Sequence, residues 1–65
     1  MLYISDLTDQ LNIDGSVNIK VFEDGEQISE ESVGSIYVVP EELTSLEIAY
    51  IYADEDELVI EVIKD

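Results

Sequence analysis

The stretch SVNIKVFEDGEQISE, residues 16–30, decides the fold. Every second residue from Val17 to Val21 is apolar, which is the period of a strand that buries one of its faces. Asp24 and Gly25 follow, and these are the residue types that a two-residue type I′ turn requires. The stretch therefore predicts a β-hairpin.

The expected turn also predicts how the two strands of this hairpin pair. A two-residue loop places Val21 opposite Ile28 on the core side of the ladder. The return strand, residues 26–30, is polar, so we expect it at a sheet edge, where charges discourage further pairing.

Downstream of the hairpin, the sequence predicts more strand than helix. Residues 36–39 form a short β-type run, and Pro40 with the acids behind it fits a single helical turn. Residues 47–53 and 58–63 alternate in strand fashion on either side of an acidic turn, so we expect a second hairpin.

Upstream of the first hairpin, the pattern is helical. Ile4, Leu7 and Leu11 share one face of a helix, Ser5 is the expected N-cap, and Gly15 closes the element. Because a helix of about two turns is unstable alone, it must dock on the sheet.

These elements predict one α+β domain over residues 1–65. We expect a short N-terminal helix packed on a small, mostly antiparallel, meander-like sheet of four to five strands. The chain has no Cys, but it is 46% hydrophobic, an apolar content that disordered acidic segments lack. It should therefore fold without disulfides.

Charge is the most unusual property of the sequence. Seventeen Asp and Glu face only Lys20 and Lys64, which gives a net charge of −15. A charge of magnitude about 2–8 is already ample for the solubility of a small domain. The excess negative charge costs stability through self-repulsion, which favours a function that requires it, namely binding to a positively charged partner. Two alternatives stay open: adaptation to high salt, and a role of the charge in solubility alone.

The composition argues against several functions. With no His, Arg or Cys, the usual catalytic triads and zinc sites are absent, so we expect no enzyme activity, no catalytic residues and no cofactor. The acidic run at residues 54–57 offers oxygen ligands for Ca²⁺ or Mg²⁺ but lacks the glycine and spacing of an EF-hand loop. We therefore assign no metal site, and a loosely held cation stays open.

The sequence also predicts a compartment. No apolar run approaches the roughly 20 residues of a membrane span, and the N-terminus lacks the basic region of a signal peptide. Cytoplasmic placement, with no membrane partner, is the expectation.

The acids fall in turns, at element ends and on the expected edge strand. Alternate residues of a strand lie about 6.6 Å apart, from a rise of roughly 3.3 Å per residue, which is comparable to the phosphate separation of a nucleic-acid strand. Carboxylates could thus occupy the sites where a protein binds a phosphate backbone, with the same dependence on salt. Tyrosines of the last hairpin would add rigid contact area. The expected partner-binding residues are Asp54, Glu55, Asp56, Glu57, Glu41, Glu42, Glu30, Glu31, Tyr50 and Tyr52.

The layout resembles small acidic proteins of phages and integrative elements, including anti-CRISPR proteins and other anti-defence inhibitors. The resemblance covers the whole chain and is one of size, charge and layout: the opening residues 1–7 lead into a short helix, followed by the Asp24-Gly25 hairpin, the turn at residues 40–43 and the acidic hairpin at residues 54–57. It implies a viral protein in the host cytoplasm that blocks a basic nucleic-acid-binding protein, such as a CRISPR effector or nuclease, by mimicking DNA rather than binding it.

A different class of function stays open. The last hairpin is apolar on both faces apart from Glu61, more than one short helix can cover. Residual apolar surface favours an interface. The alternative is thus a non-enzymatic interaction module, a virion or regulatory subunit, and both a homodimer and a monomer fit the pattern.

Overall fold

The computed structural model describes residues 1–64. Its elements in chain order are α1 (Ile4–Gln10), β1 (Val17–Glu23), β2 (Glu26–Val33), a 3₁₀ turn (Ile36–Val38), α2 (Glu41–Thr44), β3 (Glu47–Asp54) and β4 (Glu57–Ile63). The α+β class is confirmed: a short helix accompanies a four-stranded, mostly antiparallel sheet.

The strand order is β2-β1-β4-β3, which differs from the expected meander. Each hairpin is antiparallel, but β1 and β4 pair in parallel at the centre. The physical reason lies in composition, because β1 and β4 carry the fully buried aliphatic residues of the sheet, whereas β2 is mostly polar and has no buried residue. Placing the two apolar strands side by side gives each of them a neighbour on both sides.

The first hairpin has the predicted turn but a shifted register. Asp24 and Gly25 both have positive φ, 53° and 83°, as a type I′ turn requires. A bulge then places Val21 opposite Ser29, so the predicted pairing of Val21 with Ile28 is wrong. Ile28 is the extra residue and is 49% exposed. A bulge of this kind bends and twists an edge strand away from further pairing.

Helix α1 begins earlier than the sequence suggests. Its N-cap is Tyr3 rather than Ser5, and the Asp6 carboxylate accepts a hydrogen bond from the Tyr3 backbone N–H at 2.9 Å. This cap allows Ile4 to start the helix fully buried. Leu11 is extended and exposed, because the helix ends at Gln10 before the predicted face is complete.

The β-run predicted at residues 36–39 is wrong: Ile36–Val38 form a 3₁₀ turn, and Val39 is its C-cap. The Ser35 hydroxyl accepts a hydrogen bond from the Tyr37 backbone N–H at 3.2 Å, which caps the turn. Ile36 and Val39 are both buried. Their spacing of three residues matches the three residues per turn of a 3₁₀ helix, so both side chains lie on the same side of the turn.

The core lies on one side of the sheet only. It joins α1, the 3₁₀ turn and the sheet, with α2 packed at its border, and no polar or charged side chain among residues 1–64 is buried. Its buried members are Ile4, Val17, Ile19, Val21, Ile36, Val39, Ile60 and Val62. The other side of the sheet has no helix over it.

Candidate interaction surface

The side of the sheet that faces away from the core is called here the open face. Because successive strand residues point to opposite sides, the residues between the core positions all lie on it. The strand register then sets which of them are neighbours. In sheet order the open face includes Gln27, Glu30 and Ser32, then Asn18, Lys20 and Phe22, then Glu57, Val59, Glu61 and Ile63, and last Glu47, Tyr50, Tyr52 and Asp54.

The centre of the open face is polar. Lys20 lies on β1 directly beside Glu30 of β2 and Glu61 of β4. The Tyr52 hydroxyl donates a hydrogen bond to Glu61 Oε2 at 2.6 Å. That hydrogen bond is the main reason why the pKa of Tyr52 is raised above its ordinary value of 10.0, while the positive charge of Lys20 acts in the opposite direction. Glu61 thus lies beside Lys20 in the sheet and accepts a hydrogen bond from the phenol of Tyr52.

One end of the open face is an acidic basin of about 280 Å³. It is lined by the turn residues Asp54, Glu55, Asp56 and Glu57 and, across the sheet, by Glu30 and Lys20. Two hydrogen bonds hold its walls in place: Asn18 Nδ2 donates to Glu30 Oε2 at 2.7 Å, and Ser32 Oγ donates to Glu57 Oε2 at 2.8 Å. Strand pairing therefore brings Glu30 to the four consecutive acids of a turn that lies far away in the sequence.

The opposite end of the open face is apolar. Phe22, Ala49, Tyr50 and Ile63 line a depression of about 310 Å³ beyond Glu61. Tyr50 is 67% exposed, the most exposed aromatic residue of the protein. Negative charge and apolar contact area thus lie at the two ends of one surface, as in interfaces whose aromatic anchors are flanked by charges.

The structure separates the predicted partner-binding residues into two groups. Glu30, the acidic turn, Tyr50 and Tyr52 share the open face. Glu31 points to the other side, because it pairs with core residue Ile19. Glu41 and Glu42 lie on α2 in the layer that covers the core, where Glu42 adjoins Leu43 and Leu46. A flat partner that contacts one group cannot contact the other.

Sequence reasoning did not name several residues of this surface as partner-binding, among them Asn18, Lys20, Phe22 and Glu61. Alternation along β1 already groups the first three, which is a signal the sequence does carry. Their closeness to Glu61 and Tyr52 depends on the parallel pairing of β1 with β4, for which local sequence has no signal.

The described carboxylates all lie at the surface. Of the 16 Asp and Glu among residues 1–64, eleven are exposed and five are partly exposed. Within the same residues, no group of three or more acids is arranged so that it could hold a metal ion. No helix in this part of the chain is long and apolar enough to cross a membrane.

Comparison with known proteins adds no relative. No protein-family model, curated protein or solved structure matches the chain.

Proposed function

We propose that this protein is a non-enzymatic inhibitor from a phage or mobile element, which blocks a host nucleic-acid-binding defence protein such as a CRISPR effector or nuclease. It does so from the host cytoplasm by presenting an acidic surface in place of nucleic acid. The observation that carries the proposal is the acidic basin on the open face, where five carboxylates meet on a surface that no helix covers.

The physical basis of this inhibition is electrostatic. A site built for a phosphate backbone has Lys and Arg at strand-like intervals, and it releases bound anions when carboxylates occupy it. The basin provides carboxylates from β2, β4 and the acidic turn, and hydrogen bonds from Asn18 and Ser32 restrain two of them. Restrained side chains lose less conformational entropy on binding, which favours affinity.

The second candidate, an interaction module, is supported by the apolar depression around Phe22, Ala49, Tyr50 and Ile63. A partner that binds there buries apolar surface, so its affinity responds little to salt. Salt dependence therefore discriminates between the two functions.

The test is displacement of DNA from the partner. A pull-down from bacterial lysate at low and moderate salt identifies candidate nucleases and defence-complex subunits, and each is then purified and loaded with labelled DNA. Adding the protein should displace the DNA, with an affinity that falls steeply as salt rises.

Two variants with the same change in net charge assign the surface. Asp54→Asn, Glu55→Gln, Asp56→Asn and Glu57→Gln together remove four charges from the basin. Asp9→Asn, Asp14→Asn, Glu41→Gln and Glu42→Gln remove four exposed charges from the helical layer and the loop before β1. The basin variant should bind at least about tenfold more weakly than the control, as expected for close charge pairs. Equal affinities would contradict the choice of surface, and salt-independent binding would favour the interaction module.

A further inference from the structure

The outer edge of β3 has an exposed and largely uncharged segment. β3 is the last strand of the sheet order, so its outer side has no neighbouring strand. Residues 49–54 are all exposed, and the six residues 48–53 carry no charge. The backbone groups along such an edge are available to a further strand. We call residues 50–54 the free edge.

The other edge of the sheet is protected, in contrast. β2 carries Glu26, Glu30 and Glu31 and has the bulge opposite Val21. Charges and bulges are the two means by which natural sheets prevent edge pairing. Residues 50–53 of the free edge have neither, because they carry no charge and the bulge of β3 precedes Tyr50.

The protein already pairs an extended segment with the first part of this edge. Leu2 accepts a hydrogen bond from the Ile48 backbone N–H at 2.7 Å, and Tyr3 forms an antiparallel bridge with Glu47. Since this segment runs antiparallel to β3, Met1 lies toward the point where the free edge begins. An extended segment thus pairs with the outer side of β3 at residues 47 and 48.

We propose that the free edge accepts an extended strand of the partner protein, in which Lys or Arg alternates with apolar residues. The positive charge of this strand rests on the proposed function, whereas the strand geometry rests on the edge itself. A strand with this pattern complements both faces of β3 and the acidic turn at its end.

The backbone of the free edge has a defined pattern. In a two-residue hairpin the closing pair, here Asp54 and Glu57, exchanges both of its hydrogen bonds. The next pairs alternate, so the N–H and C=O groups of Ala53 and Ile51 point outward. An added strand would bond to these two residues.

The side chains set the pattern of the added strand. Tyr50 and Tyr52 lie on the open face, and a Lys or Arg beside them meets two aromatic rings and the carboxylate of Glu61. Ile51 lies on the core side opposite Ile60 and is 40% exposed, so an apolar neighbour would cover it. Because strand side chains alternate, basic residues on one face and apolar residues on the other form one repeating pattern.

The experiment is an NMR titration of the ¹⁵N-labelled full chain with an alternating Lys–Val octapeptide, acetylated and amidated at its ends. We expect the largest shifts at the amides of Ile51 and Ala53. Ala53→Pro removes an outward N–H without removing a bond of the sheet, so the fold should persist, which its spectrum checks. It should bind the peptide about tenfold more weakly, since one strand-to-strand bond is lost and its partner is left unpaired.

The matched control is Gln27→Pro on β2. Gln27 is also one residue from the closing pair of a two-residue turn, so its N–H also points outward, but on the protected edge. This variant should bind the peptide as the unaltered protein does. A peptide methylated on alternate backbone nitrogens should bind weakly, because it cannot pair with the edge.

Three results would overturn the inference. The first is undiminished binding by Ala53→Pro or by the methylated peptide, which would indicate simple charge attraction. The second is shifts confined to the acidic basin. The third is a dimer of the unaltered protein in sedimentation that Ala53→Pro converts to monomer, which would assign the edge to a second copy of the chain. The proposed function fails separately, if the unaltered protein does not displace DNA from its partner.

Discussion

The two hairpins of this protein are built alike but end in different edges. Each joins its strands through a two-residue turn and contributes one central strand, β1 or β4, to the parallel pair. The outer strand of the first hairpin, β2, is acidic and bulged in its middle. The outer strand of the second, β3, presents Tyr50, Ile51 and Tyr52.

This difference teaches how a chain of 65 residues separates stability from recognition. Both central strands bury aliphatic side chains under α1, and neither hairpin completes a core without the other. The outer strands contribute little to that core, so core packing does not constrain their sequences. One edge repels further strands, and the other can accept them.

The largest expected effect tests whether the two hairpins support the core equally. Ile19 of β1 and Ile60 of β4 are fully buried and directly paired. Ile→Ala at either position should cost about 3–4 kcal/mol, the transfer free energy plus the cavity. Because a core of this size supplies only about 3–5 kcal/mol, both variants should be largely unfolded at 25 °C. Circular dichroism at 25 °C measures the folded fraction of each variant, and urea denaturation of the unaltered protein gives its free energy of unfolding for comparison.

The control for this prediction is Ile28→Ala on β2. Ile28 is half exposed at the bulge, so its loss should change the free energy of unfolding by less than about 1 kcal/mol. A large difference between the Ile19 and Ile60 variants would show that one hairpin folds independently and that the comparison fails.

A smaller effect distinguishes the two turns. Gly25 has a φ of 83°, and an added Cβ meets no atom within 4 Å, so Gly25→Ala should cost about 1 kcal/mol from backbone strain alone.

Glu55 has a φ of 58° without being glycine, so Glu55→Gly should instead raise the free energy of unfolding. We expect a gain of about 0.5–1 kcal/mol, relative to Glu55→Gln, in thermal or urea unfolding.

Glu55→Gln serves as the reference because it removes the same charge and keeps the side chain. If Glu55→Gly and Glu55→Gln were equally stable, relief of charge repulsion rather than of backbone strain would explain any gain.

The smallest effect concerns the ionisation of Tyr52. Its hydrogen bond to Glu61 favours the protonated phenol, so the pKa in the folded state lies above the ordinary 10.0. The resulting stabilisation is complete below pH 10 and is lost as pH rises through the raised pKa, because the folded state then binds more protons than the unfolded state. The ¹³Cζ resonance of labelled Tyr52 should titrate above pH 10.0, and Glu61→Gln should lower its midpoint. An unchanged midpoint in that variant would assign the shift to another cause.

Several local features were predictable from the sequence because their causes are local. The Asp24-Gly25 turn follows from the tolerance of these residues for positive φ, and the alternation along β1 assigns its two faces. The acidic turn of the second hairpin was also expected, with its strands nearly at the observed bounds. Of the candidate site, the basin acids and both tyrosines were named in advance.

Other local features were not predictable, because packing decides them. The run Ile36–Val38 has strong β preference, yet burial of Ile36 and Val39 against the core selects a 3₁₀ turn. The bulge at Ile28 shifts a register that the turn alone would have set.

The sequence by itself determined the elements, the hairpin turns and the charge of this protein, since each depends on residues close together in the chain. Only the tertiary structure decided that β1 and β4 pair in parallel, that Glu30 meets the turn of the second hairpin, and that β3 forms an edge. The physical reason is that strand order depends on which apolar faces bury one another most completely. That quantity belongs to the whole molecule and has no signature in any single segment.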